Sequence, residues 1–381
     1  MNKILPLSII FLLSLSMLTG CLSTDLAEQR EKQAGKGDNI TIGVPVPYDF
    51  AKDNTKFLKG IELALEDINS RGVKNKQIKL EIVDDRGVFK EAVDVAQDFS
   101  ENTHMLAVIG HWFSDISIPL TSIYEEAGML VIVPTVSNPE LVEKNYHYIF
   151  QNIPSDKKVA EQMCNYARGK GYKNVVIYYE DSSYGRNLAD AFENEARNKD
   201  IEIVDRRSSI VNEVNFKGAY DKWVALNYDA VFLALNMPEG AQFIKEFRKL
   251  DTNTPILSGD GLDVGNFIEV LGEDAEGAVI ATIYNPQDKR QELKDFKAHY
   301  TEKYREEPDV WAIQGYDSLM LIAHAIEQTG TFSPKVLANY LRDMEAMKLV
   351  TGSISFNDDG EVQGRSVYKK KMVDGEFEYI N

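Results

Sequence analysis

The stretch AVIGHWFSDISIPLTSIYEEAGMLVIVPTVSNPEL, Ala107 to Leu141, holds two apolar runs of strand length, each followed by a turn and a segment of helical character. Each run leads into small hydroxyl residues, Ser114 after the first and Thr135 with Ser137 after the second. Short continuous apolar runs alternating with helical segments mark strands buried on both faces of a parallel sheet. In open sheets of that kind, ligands bind beyond the carboxyl ends of the strands, where helix N-termini present free N–H groups and positive dipole ends. The three hydroxyls stand at that level.

The pattern extends in both directions. ITIGVPV (40–46) is an apolar run of strand length, and KFLKGIELALEDINSRG puts Phe57, Ile61, Ala64, Leu65 and Ile68 on one helical face before Gly72 stops it. IKLEIVDD alternates at Ile78, Leu80 and Ile82. NVVIYYE, DAVFLAL, TPILSG and GAVIATIY are further buried-strand candidates, with helical stretches such as DKKVAEQMCNYARGKG and GAQFIKEFRKLD between them. The fold class is therefore α/β, with parallel sheets covered by helices on both faces. Only the C-terminal end departs, with short strands joined at Asp359-Gly360 and Asp374-Gly375 turns.

A chain of 381 residues, 44% hydrophobic and 27% charged, is globular and long enough for two domains. Its net charge of −18 argues against nucleic acid and anionic lipid surfaces as partners. Of the two cysteines, Cys164 shares helical spacing with Ala160, Met163 and Ala167 and reads as a buried structural thiol. The five histidines lack metal spacing, no P-loop, G-x-S-x-G or H-E-x-x-H occurs, and the sequence calls for no metal or cofactor. His111 and Ser114 form a conceivable base and nucleophile without an identifiable orienting acid. Asp84-Asp85 reads as a solvated strand end.

Lys3, the apolar serine-broken run Ile4 to Leu18, and Leu18-Thr19-Gly20-Cys21 have the layout of a signal peptide over residues 1–20. The ending resembles the lipobox of bacterial lipoproteins, which implies cleavage before Cys21 and lipidation of its thiol. Residues 21–38, polar and almost without large apolar side chains, are expected to form a flexible tether with a reach on the order of 20 Å.

The candidate site residues each carry a bland alternative. Ser137-Asn138-Pro139-Glu140 is a capping box, and Ser114 is a candidate N-cap; capping and carboxylate binding use the same surface. GDGLDVG (259–265) follows a strand but has the wrong glycine spacing for a dinucleotide loop, and Asp260 suits an ammonium group better than a pyrophosphate; it is otherwise a turn residue. Tyr184, before Gly185, lines a cleft or packs in a half-buried position.

GIELALEDINSRG, EIVDDRG, the opening stretch, VVIYYEDSSYG, YDAVFLAL, the SGDG turn, AEGAV and the P-x-x-W-A-x-x-G-Y-D segment at Pro308 to Asp317 together resemble the leucine/isoleucine/valine-binding proteins. These are type I solute-binding receptors of bacterial ABC transporters, and the resemblance covers nearly the whole chain after the signal. It implies two Rossmann-like lobes with parallel sheets joined by a three-segment hinge: lobe one over 39–154 plus 284–355, lobe two over 155–283 plus 356–381. Carried over by position, Ser114, Thr135 and Ser137 hold the α-carboxylate and α-amino group of a ligand, Thr135 through its main chain. Tyr184 closes on the ligand from lobe two, and Asp260 pairs with the α-ammonium, as aspartate where the branched-chain receptor has glutamate. PVPYDFAKDN replaces the usual small turn after the first strand and brings Tyr48 or Phe50 near the pocket mouth, while Trp112 and Asn236 occupy positions that vary with ligand. The implied function is a membrane-anchored extracytoplasmic receptor that hands an amino acid, branched-chain or otherwise aliphatic, to ABC transporter permease subunits. Its rivals are a sensor or receptor of the same fold for amides, urea or aromatic acids, and a secreted hydrolase built on His111 and Ser114.

Overall fold

A computed structural model describes residues 25–208 and 216–380. The signal segment and Cys21 lie outside the described residues. The chain begins with α1 (Leu26–Lys36), then β1 (Asn39–Val46), α2 (Tyr48–Asn54), α3 (Phe57–Arg71), β2 (Gln77–Asp84), α4 (Phe89–Glu101), β3 (Met105–Ile109), α5 (Ser114–Glu126), β4 (Leu130–Val133) and β5 (Ile149–Gln151). The five strands make one parallel sheet in the order β2-β1-β3-β4-β5. Every side chain of β3, β4 and β5 is buried, as their unbroken apolar runs require, whereas the edge strand β2 alternates.

The second lobe follows with α6 (Asp156–Lys170), β6 (Asn174–Tyr179), α7 (Ser183–Arg197), β7 (Glu202–Ser208), α8 (Phe216–Ala225), β8 (Ala230–Ala234), α9 (Glu239–Arg248), β9 (Ile256–Ser258), α10 (Phe267–Leu271) and β10 (Val279–Thr282). The chain then returns to lobe one for α11 (Gln291–Tyr304), α12 (Val310–Thr329), α13 (Pro334–Asp343), β11 (Met347–Leu349), β12 (Gly352–Phe356) and β13 (Val362–Gln363), and ends as β14 (Tyr368–Val373) and β15 (Glu376–Ile380). The last two form a hairpin about Asp374-Gly375 that pairs antiparallel with β10, completing a seven-stranded sheet, β15-β14-β10-β9-β8-β6-β7. β13 stays with lobe one, where Gln151 N donates to Gly360 O, so the third passage between lobes runs through residues 364–367.

Two glycines draw lobe one together beside the cleft. A Cβ on Gly60 of α3 would lie 1.8 Å from Ala312 O of α12, and one on Gly315 would lie 2.6 Å from Phe57 O. Only glycine lets these helices meet backbone to backbone, which presses Phe57 and Trp311 toward the strand ends. At the hinge, the buried Arg365 donates to Asn152 O (2.7 Å), Asn152 Oδ1 (2.9 Å) and Gln314 Oε1, with Asp317 3.7 Å away. One guanidinium thus joins the first and third passages.

The segment expected to be an unpacked tether differs. Asp25 accepts from Ala27 N and caps α1, whose Ala27 and Ala34 pack on lobe one. Arg30, fully buried, donates to the carbonyls of Ser100, Asn102 (2.7 Å) and Met105 (2.9 Å), with Ala127 O at 3.5 Å. A charged residue supplies here the anchoring that the composition of this segment denies to apolar side chains.

Candidate functional site

The two lobes meet around a small cleft. Lobe one contributes Phe50, Trp112, Phe113, Ser114, Thr135 and Trp311; lobe two contributes Tyr184, Asn236, Asp260, Gly261 and Val264. Hydrogen bonds across the rim hold the cleft shut. Ser183 donates from N (2.9 Å) and Oγ (2.5 Å) to Asp115 Oδ1, and Asn138 Nδ2 donates to Ser183 O. Opposite, Gly265 N donates to Asn54 O, Asn266 Nδ2 to Asn54 Oδ1, and Trp311 Nε1 to Asp263 O (2.6 Å).

On the lobe-one wall, Ser114 is the first residue of α5, whose N-cap residue, Phe113, offers no capping side chain. Its free N–H groups and positive dipole end therefore face the cleft beside the hydroxyl. Thr135 lines the space, but its hydroxyl donates to Trp112 O (2.9 Å) and His111 O (3.2 Å), so it braces the neighbouring strand end. The expected capping box is shifted: Asn138, not Ser137, accepts from Glu140 N, and the helix it starts is a single turn, Pro139–Leu141. Ser137 is buried behind the lining, its hydroxyl beside the carboxyl groups of Asp156 and Asp260 but without a well-aligned hydrogen bond to either.

The lobe-two wall is negative. Tyr184 Oη donates to Asp260 Oδ1 (3.0 Å) and accepts from Gly261 N (2.8 Å). A Cβ on Gly259 or on Gly261 would come within 2.8 Å of that phenol oxygen, so the two glycines make room for Tyr184 to reach the aspartate between them. Burial pushes the Asp260 carboxyl up to about 6. Asp156, which the sequence did not single out, is fully buried, and neither of its carboxylate oxygens has a hydrogen-bond partner among the described residues. Burial first, and the charge of Asp260 second, raise its pKa well above the ordinary carboxylate range. As an acidic residue in the first turn of a helix, it is indistinguishable in sequence from one placed to complement the dipole.

The remaining surface is largely aromatic. Trp112 packs against Phe50 (ring centroids 5.6 Å apart), Phe57 (5.4 Å) and Trp311 (5.2 Å). Asn236 lies in the wall, and its N and Nδ2 donate to Glu180. Tyr48, expected at the pocket, is 41% exposed and outside the lining, and Phe50 takes the place. Residues two apart on a helix face different ways, so only one of the pair can enter the cleft. Phe113, Val264 and Trp311 were also missed; among apolar residues flanking strand ends and helix starts, nothing local tells a pocket wall from core.

His111 does not serve Ser114. Buried, it engages Asp85 Oδ2 through Nδ1 (2.6 Å) and Tyr124 Oη through Nε2 (2.9 Å), so both ring nitrogens are occupied away from the cleft. This also corrects the reading of Asp85 as solvated, because it is fully buried beneath the histidine.

This geometry has relatives. A periplasmic binding protein family model matches residues 39–369. An ABC transporter substrate-binding protein from Desulfitobacterium hafniense, solved in complex with Leu, is 36% identical with a TM-score of 0.82, over 90% of this chain and all of that one. A leucine-binding protein, LivK, from Thermotoga maritima is 26% identical with a TM-score of 0.83, over 90% of this chain and 99% of that one. A Leu/Ile/Val-binding protein homolog of Brucella abortus is 25% identical over 90% of this chain and 92% of its own length. With two parallel-sheet lobes, a three-passage hinge and an interlobe cleft, the chain belongs to the periplasmic binding protein family.

Proposed function

We propose that this protein is an extracytoplasmic receptor that clamps one free α-amino acid with a branched aliphatic side chain and delivers it to the permease subunits of an ABC transporter, held to the membrane by lipid on Cys21. The observation that carries the reading is the opposite polarity of the two walls. The uncapped start of α5 with Ser114 complements a carboxylate. The buried Asp260, with Asp156 behind it, forms no ion pair among the described residues, and an α-ammonium complements such a carboxylate. Phe50, Trp112 and Trp311 offer an apolar enclosure to the side chain. Ser114, Thr135, Tyr184, Asp260, Asn236 and Trp112 act at the ligand's surface, with Ser137 supporting the carboxylates from behind. The leucine complex of the Desulfitobacterium hafniense relative favours an aliphatic ligand. Binding of this kind needs no covalent step; charge-assisted hydrogen bonds and one buried apolar side chain account for micromolar affinity, about −8 kcal/mol. No helix among the described residues is long and apolar enough to cross a membrane.

The test is a thermal-shift screen of the mature protein against the amino acids, urea, short amides and aromatic acids, since a ligand selective for the folded state must raise its melting temperature. Shifts with leucine, isoleucine or valine support the reading. Shifts confined to ligands without an α-ammonium overturn it.

A further inference from the structure

The base of lobe one, at the far end of its sheet from the cleft, carries a contact that ligand binding does not use. Arg30 of α1 places its guanidinium among the carbonyls of Ser100 and Asn102 at the end of α4, Ala127 at the end of α5 and Met105 at the start of β3. Helix C-termini concentrate unsatisfied carbonyls and negative dipole, so a cation enclosed by two of them is a strong fastening. Further contacts tie α1 to lobe one: Ala27 seats against Gly128, Lys76 donates to Gly35 O (3.1 Å), and Thr331 Oγ1 donates to Glu31 (3.0 Å).

We infer that α1 is a membrane-side strut: docked by Arg30, it holds the base of lobe one close against the lipid surface and leaves lobe two as the lobe that swings. This rests on the reading of Cys21 as lipidated. Between Cys21 and Leu26, five residue steps span at most about 17 Å; were α1 released, the eighteen steps to Asn39 would span up to about 60 Å. Docking therefore replaces a long leash with a short one, and fixes which face of the receptor looks at the membrane. Hinge closure then moves lobe two, since Arg30 fastens α1 to lobe one.

The experiment uses the full lipidated chain in vesicles carrying an acceptor dye in the bilayer. A donor is placed through Asp98→Cys, exposed on α4 toward the base, or through Asp181→Cys, exposed at the cleft rim; Cys164 is buried and does not compete. In the wild type the base label should transfer more efficiently than the rim label. In Arg30→Ala the difference should collapse, and trypsin cleavage after Lys32 and Lys36 should accelerate at least about tenfold, because charge-assisted hydrogen bonds are worth a decade or more. The melting shift induced by leucine should stay unchanged, showing that the lobes remain folded. Equal transfer from the two labels in the wild type, or unchanged cleavage in Arg30→Ala, overturns the inference. An N-terminal peptide whose mass lacks lipid also overturns it, and places the fault in the anchor reading if α1 is still protected.

Discussion

Replacing Asp260 by asparagine tests the site through two effects of opposite sign. The side chain is isosteric, and its oxygen can still accept from the Tyr184 hydroxyl, which now lies 3.0 Å from the carboxylate. What disappears is a charge in a nearly dry position, 7% exposed. In the empty protein that charge is a burden. Burial raises the carboxyl from 3.8 to about 6, which corresponds to about 3 kcal/mol of destabilisation once the group is forced to ionise at neutral pH. Asp260→Asn should therefore leave the empty protein as stable or more stable, with its melting temperature unchanged or up by a few degrees. In the proposed complex the charge should be needed, because a unit charge pair about 4 Å apart at an effective dielectric near 20 interacts by about 4 kcal/mol. Removing one partner of a buried charge pair costs about 2–5 kcal/mol, or roughly thirty-fold to several-thousand-fold in affinity, expressed mainly in the dissociation rate. Calorimetric titration with leucine, paired with melting curves of empty and loaded protein, reads both effects. A Kd within about threefold of wild type, or an empty variant that melts lower while keeping the full ligand shift, would refute the argument, since three-fold is under 1 kcal/mol.

On the proposed reading, the same carboxyl should make binding pH-dependent. The folded-state value of Asp260 lies above its unfolded value, so its contribution to the stability of the empty protein is complete below about pH 4 and is lost as pH rises through about 6. An incoming ammonium displaces that proton, so affinity should weaken about tenfold per pH unit below pH 6 and level off above pH 7; Asp260→Asn should flatten the curve, a control that matters because burial also lifts Asp309 to about 6. Asp115→Ala removes the acceptor of both Ser183 bonds across the rim and should speed ligand release about tenfold, with little change in association, measured by stopped-flow fluorescence of the pocket tryptophans. Gly60→Ala forces a methyl to 1.8 Å from Ala312 O and should destabilise by about 3 kcal/mol or more, read as a lowered denaturant midpoint.

The order of strands and helices was legible because its signals are local. A strand buried on both faces must be apolar throughout, and runs such as Met105–Ile109 and Ala230–Ala234 need no knowledge of their neighbours to be recognised. The strand-end positions of Ser114, Thr135, Tyr184 and Asp260 followed from the same pattern, and the structure gathers these residues round one cleft. Sequence left undecided what each side chain does there. Thr135 spends its hydroxyl on backbone carbonyls, and Ser137 gives the cap to Asn138 and stands behind Asp260.

Other features depend on contacts between residues far apart in the chain. Phe50 rather than Tyr48 enters the pocket because α2 turns that face toward Trp112 and Phe113. Asp156 acquires its meaning from Asp260, and His111 is withdrawn from chemistry by Asp85 and Tyr124. Arg30 turns a mostly polar segment into a docked helix by meeting carbonyls about seventy and ninety-seven residues away. By itself, the sequence determined most of the strands and helices of the two lobes and which strand ends would line the cleft, since periodicity and turn chemistry act within a few residues. Tertiary structure alone decided which charges are buried, which hydroxyls are free and which aromatic ring lines the cleft, because burial and hydrogen bonding are set by partners that only the folded chain brings together.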